Sequence, residues 1–176
     1  KLPEAPGAPD EDRIFNGASD NATGIAGLIE LARVFGATQP RPERSVMFVA
    51  VTAEEYGLLG SEYFADHLPV PAANLYGGLN MDNLYMIGLT RDLTVIGYGA
   101  SELDDYLRRA AAKQDRVLVA EPTPEKGFYY RSDHFNLAKQ GVPMLYTKAG
   151  IDSPEKGPQY GRAWLEDYVA NRYHKP

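Results

Sequence analysis

Glu54 and Glu55 stand side by side in Thr52-Ala53-Glu54-Glu55, at the end of the apolar run Ser45-Val46-Met47-Phe48-Val49-Ala50-Val51 and ahead of Gly57-Leu58-Leu59-Gly60-Ser61. Adjacent residues leaving a strand point in different directions, so one carboxylate can ligate a metal while its neighbour takes a proton from a water. That division of labour belongs to hydrolases, although an isolated Glu-Glu is more often a solvated surface pair. Three further segments bear on the choice. Asp20 opens an amphipathic stretch with Ile25, Leu28, Ile29, Ala32 and Phe35 on one face, where Ser19 or Asp20 can equally serve as an N-cap. Asp82 closes a strand-like run in Asn80-Met81-Asp82-Asn83, where an Asp can also simply begin a turn. His134 follows Tyr129-Tyr130-Arg131-Ser132-Asp133, and a lone His there is commonly a hydrogen-bonded structural residue. Together these carboxylates and the imidazole form a set that zinc accepts, because zinc binds carboxylate oxygen and imidazole nitrogen.

Positioning such a set requires a particular scaffold. Hydrophobic periodicity and turn residues predict helices near 20–36, 57–67, 101–114, 132–140 and 161–171. Strands are predicted at 45–51, 75–82, 92–98, 116–120 and 143–147. Apolar strands between helices imply an α/β three-layer sandwich, a mostly parallel central sheet with helices on both faces. Ligands in such sheets collect beyond the strands' carboxyl ends, which brings Glu54, Glu55 and Asp82 to one edge. Asp152 to Tyr160, rich in Pro, Gly and charge, reads as a surface loop bordering the cleft.

Four segments in this order, Asn16-Gly17-Ala18-Ser19-Asp20-Asn21-Ala22-Thr23-Gly24, Thr52-Ala53-Glu54-Glu55-Tyr56-Gly57-Leu58-Leu59-Gly60-Ser61, Asn80-Met81-Asp82 and Arg131-Ser132-Asp133-His134, resemble the co-catalytic zinc exopeptidases of the bacterial leucyl aminopeptidase and aminopeptidase Y family. The resemblance covers nearly all of residues 13 to 174. It implies that Asp20 bridges two zinc ions, that Glu55 and His134 complete one ion's ligands, that Asp82 holds the other, and that Glu54 is the general base. It also implies a cis peptide between Asp20 and Asn21. In such enzymes two ions roughly 3.5–4 Å apart lower the pKa of a shared water and polarise the scissile carbonyl. Tyr129 or Tyr130 can then donate to the oxyanion, or pack beneath the loop instead. Arg131 either pins a substrate carboxylate or forms a structural ion pair.

The family takes a further His ligand from upstream of the bridging Asp, and no His precedes Asp20. Of the remaining histidines, His67 reads as a solvent-facing helix end, and His174, in Arg172-Tyr173-His174-Lys175-Pro176, lies in a recurrent family segment with no assigned ligand role. The chain begins at Lys1, passes Pro3, Pro6 and Pro9, and stops at Pro176, so residues 1–176 read as one catalytic domain cut at both ends. The expectation is two zinc ions in the intact parent but at most one tightly bound in this chain.

Length and composition fit a globular enzyme. At 176 residues the chain can bury a substantial core. The net charge of -6 and the lack of clustered Lys and Arg argue against nucleic acid. No apolar run approaches membrane-spanning length. The lack of cysteine excludes thiolate metal sites and cysteine catalysis. The partner implied is a peptide substrate, with oligomeric state left open, and the resemblance suggests a secreted or periplasmic location. The leading reading is a metallo-aminopeptidase releasing apolar N-terminal residues, since Met81, Tyr85 and Phe128 neighbour the ligands. The alternatives are a carboxypeptidase, which needs clustered arginines, a glutaminyl cyclase with one zinc on Asp20, Glu55 and His134, and a non-catalytic binding module.

Overall fold

Three consecutive residues of strand β4 (Met144–Ala149), namely Met144, Leu145 and Tyr146, are buried. Side chains alternate across a strand, so this run requires cover on both faces of the sheet. The computed structural model, which describes residues 14–175, supplies it. Strands β1 (Gly78–Asn80), β2 (Asp92–Ile96) and β3 (Val117–Ala120) join β4 in the order β1-β4-β2-β3. The β1–β4 and β2–β3 pairings are parallel, and β2 meets β4 antiparallel. Leu79 pairs with Leu145 and faces helix α3 (Leu103–Ala112) through Leu103 and Leu107. On the opposite face Met144 meets His134 and Leu137 of helix α4 (His134–Lys139), together with Ile25 and Leu28 of helix α1 (Thr23–Ala37). Helix α2 (Leu59–Asp66) packs beside α4. Helix α5 (Gly157–Asn171) closes the described chain. The chain is thus an α/β three-layer arrangement around a mostly parallel sheet. Val95, Ile96, Val142 and Leu145 form part of its core, each contributing about 1.5–3 kcal/mol by leaving water.

The expected elements appear with shifted ends, apart from one. Residues 45–51 form no ladder with any described strand. Val49, Ala50 and Val51 line a cavity of about 140 Å³ together with Leu79, Asn80 and Met144. The residues still deliver Glu54 to the sheet edge, held by a turn instead of a neighbouring strand. The proline-rich start lies outside the described residues.

Candidate active site

Helix α1 begins in a kinked turn, Ala18–Ala22, and its first residues are tied to the end of β1 by one side chain. Asn21 Oδ1 accepts from the backbone N–H of Gly24 (3.0 Å) and of Asn83 (3.0 Å), and its Nδ2 donates to the Met81 carbonyl (2.9 Å). Thr23 Oγ1 accepts from Leu84 N–H at 3.1 Å. Asn21, and neither Ser19 nor Asp20, thus satisfies a free N–H of the first helical turn. Asp20 is released to point at the segment that carries Asp82. Gly24 is required here, because a Cβ would collide with Asn21 Oδ1 and the Met81 carbonyl. The Asp20–Asn21 peptide is cis.

The two glutamates are splayed by a 3-10 turn, Glu54–Tyr56, flanked by left-handed Ala53 and Gly57. Gly57 and Leu58 N–H both return to the Glu54 carbonyl. Gly60 lets α2 lie against Thr52, where a Cβ would strike the backbone. The result separates the two side chains. Glu55 Oε1 lies 3.1 Å from His174 Nε2, and Asp20 Oδ2 lies 3.2 Å from the same nitrogen. Asp20, Glu55 and His174 each offer a ligand atom within 4.8 Å of the others. Two carboxylate oxygens and one imidazole nitrogen at that separation fit zinc, whose metal–ligand bonds run about 2.0–2.2 Å.

His174 reaches this point through α5. Trp164 and Tyr168 stack in parallel at 5.5 Å, and the buried Tyr168 hydroxyl accepts from Asn83 Nδ2 at 2.9 Å. The helix end is thereby pinned beside Asp82, and Tyr173 stacks on the His174 ring at 3.9 Å. His134 is elsewhere. It is 1% exposed, packed edge-on to Tyr129 and tilted against Tyr146, with Nε2 unpartnered and Nδ1 3.5 Å from Asn80 Nδ2. Burial pushes its pKa down to about 4, with Asp82 opposing. Its ring lines the cavity behind β1 and takes no part in the carboxylate cluster. Among the described residues it is His174, and not His134, that groups with Asp20 and Glu55. His67 also stays apart, stacked on Tyr63 at 4.1 Å.

A cavity of about 200 Å³ gathers Asp20, Glu54, Glu55, Asp82, Phe128, Arg131, Tyr146, Lys148, Tyr173 and His174 among its lining residues. Asp82 lines it without joining the donor cluster. Its Oδ2 accepts from Ser132 Oγ at 2.7 Å and Tyr146 OH at 3.1 Å, and Asn80 Nδ2 in turn donates to Ser132 Oγ at 2.7 Å. The serine of Ser132-Asp133-His134 is therefore the residue of that segment that serves the site. Burial, then Asp82, Glu55, Asp133 and Asp20, push Glu54 up to about 8. Asp20 is also raised, first by burial and then by Asp82 and Glu55, with His174 opposing. Burial lowers Lys148, against the pull of Asp82 and Asp20. Tyr130 stands outside the cavity, 62% exposed, with its ring edge-on to Phe135. Tyr146 and Tyr173 are the tyrosines that line it.

Backbone strain concentrates at the same place. Among described non-glycine residues, Ala53, Leu58, Asn83 and His174 have positive φ, with Asp115 the other example. Each costs on the order of 1 kcal/mol or more, a cost that persists where surrounding contacts dictate the conformation.

An α/β sheet edge carrying carboxylates, an imidazole and a part-buried glutamate is the arrangement of a metal-dependent hydrolase. The chain belongs to peptidase family M28, whose model matches residues 3–176. It is 42% identical over 137 residues to aminopeptidase YwaD of Bacillus subtilis, covering 78% of this chain and 28% of that protein. It is 28% identical over 167 residues to leupeptin-inactivating enzyme 1 of Streptomyces exfoliatus, covering 89% and 36%. The structure superposes on the aminopeptidase from Aneurinibacillus sp. strain AM-1 with a TM-score of 0.62 and 25% identity, over 82% of this chain and 34% of that one. The chain therefore spans about a third of the length of these relatives.

Proposed function

We propose that the chain carries the catalytic centre of a zinc-dependent aminopeptidase, with zinc held by Asp20, Glu55 and His174. The observation that carries this reading is the donor cluster beside Glu54 in one cavity. The names of the relatives support it, being those of an aminopeptidase and a leupeptin-inactivating enzyme. When bound, zinc supplies Lewis acidity toward a peptide carbonyl and acidifies water. The rest of the chemistry falls to the chain's own groups. Glu54, partly dry and beside the cluster, takes a proton on a carboxylate oxygen and returns it to the leaving amine. Ser132 and Tyr146 fix the Asp82 carboxylate, which keeps one oxygen at the cavity wall to attract a substrate ammonium. That acidic wall is suited to a free N-terminus, hence to an exopeptidase. With Asp82 engaged by these two hydroxyls, one tightly held zinc is the expected stoichiometry.

Zinc content after dialysis, measured beside hydrolysis of a leucine anilide, tests the reading. The parent chain should retain about one zinc. Glu54→Gln should keep that zinc while turnover falls roughly 10²–10⁴-fold. A chain that retains no zinc, or a Glu54→Gln variant as active as its parent, would overturn it.

A further inference from the structure

Lys148 is a part-buried cation with few polar partners. It projects from β4 into the cavity described above, and among the described residues it makes no ion pair. Its Nζ lies 3.4 Å from the Tyr85 hydroxyl and over the rings of Tyr85 (5.2 Å), Tyr146 (5.5 Å) and Phe128 (6.0 Å). An ammonium has three donors, and one hydroxyl leaves two of them unspent. A lysine present only to neutralise the acidic wall would be paired with Asp82, whose Oδ2 accepts from Ser132 and Tyr146 and whose other oxygen forms no ion pair with Lys148. Arg131 sits over the other side of the matter: its guanidinium lies 5.5 Å from the same Phe128 ring, lines the same cavity and is also without an ion pair among the described residues. The cavity therefore gathers Asp20, Glu54, Glu55 and Asp82 together with two cations that make no ion pair among the described residues and share one aromatic ring. Of the residues expected to make the cavity apolar, Phe128 lines it, whereas Met81 lines the cavity behind β1 and Tyr85 is engaged with Lys148.

We infer that Lys148, assisted by Arg131, is a specificity-determining subsite for a substrate carboxylate close to the scissile bond. This rests on the peptidase reading, which places the scissile carbonyl at Asp20, Glu55 and His174. The carboxylate is either the acidic side chain of the N-terminal residue or the free C-terminus of a dipeptide. Both present the same planar anion, for which a part-buried ammonium and a guanidinium are matched donors.

The test compares kcat/KM of the zinc-supplemented protein for four substrates: leucine anilide, glutamate α-anilide, leucyl-leucine and leucyl-leucine amide. A preference of tenfold or more for glutamate anilide over leucine anilide assigns the subsite to a side chain. The same preference for leucyl-leucine over its amide assigns it to a C-terminus. Lys148→Met should reduce whichever ratio is large by at least tenfold, mainly through KM, and Lys148→Arg should restore part of it. Arg131→Gln, at an exposed position that does not endanger folding, should reduce it severalfold. Hydrolysis without either preference, or a proportional loss on all four substrates, overturns the subsite while leaving the peptidase reading in place. If none of the four is cleaved, the peptidase reading falls, and calorimetric binding of glutarate decides the subsite by itself. Binding weakened at least tenfold by Lys148→Met supports it, and undiminished or absent binding overturns it.

Discussion

Two histidines divide the molecule into two regions of opposite character. Around His174 the side chains are half-exposed, acidic and held by a strained backbone, and the imidazole faces two carboxylates. Around His134 they are buried, aromatic and close to neutral, and the imidazole has one long polar contact. The same residue type does different work because its surroundings differ. A ring among carboxylates is placed where it can ligate a metal or carry a proton, and a ring among tyrosines is a piece of the core.

Exchanging each histidine is the sharpest way to break this contrast. His174→Ala should weaken zinc binding more than 100-fold, about 2.7 kcal/mol or more, as read by competition with a chromogenic chelator. Equal zinc affinity in that variant would dissolve the distinction. His134→Ala should instead cost about 2–3 kcal/mol of stability in a urea titration through the void it leaves, with zinc stoichiometry retained. A smaller effect sits at the seam between the regions. Ser132→Ala removes one donor to Asp82, so stability should fall by about 1–2 kcal/mol and zinc affinity by less than tenfold.

The pH dependence of the metal-free chain sharpens the comparison further. His134 has a folded pKa near 4, below its ordinary 6.5, so the stability it contributes is present above pH 6.5 and is lost as pH falls toward 4. Glu54 has a folded pKa near 8, above its ordinary 4.5, so its contribution is present below pH 4.5 and is lost as pH rises through 8. Denaturation midpoints should therefore decline on the acid side in a way that His134→Asn flattens, and on the alkaline side in a way that Glu54→Gln flattens. An unchanged profile in either variant would show that the titrating group has been misassigned.

Much of the α/β architecture was legible because its signals are local. Apolar runs bounded by Pro and Gly located β1 to β4, and helical periodicity located α1 and α3. The run at 45–51 has the same local signal but no ladder, since pairing depends on how closely β1 approaches, which no window of sequence contains. The carboxylates Asp20, Glu54, Glu55 and Asp82 could be singled out because each stands where an element starts or ends. Which histidine faces the carboxylates could not be chosen that way. His134 and His174 differ in depth and direction, and both follow from where α4 and α5 pack. Lys148 carried no sequence signal either, since its meaning lies in the rings and carboxylates that three distant segments bring around it.

The contact between Asp20 and His174 joins positions 154 residues apart. An ion shared by those two side chains would act as a removable cross-link closing almost the whole described chain into a ring. Because folding alone brings those two positions together, the ion binds the folded chain and stabilises it by mass action, by about 2.7 kcal/mol at a free concentration one hundred times its dissociation constant. Withdrawing the ion would remove that stabilisation, making the supply of metal a control on how long the protein survives as well as on what it does.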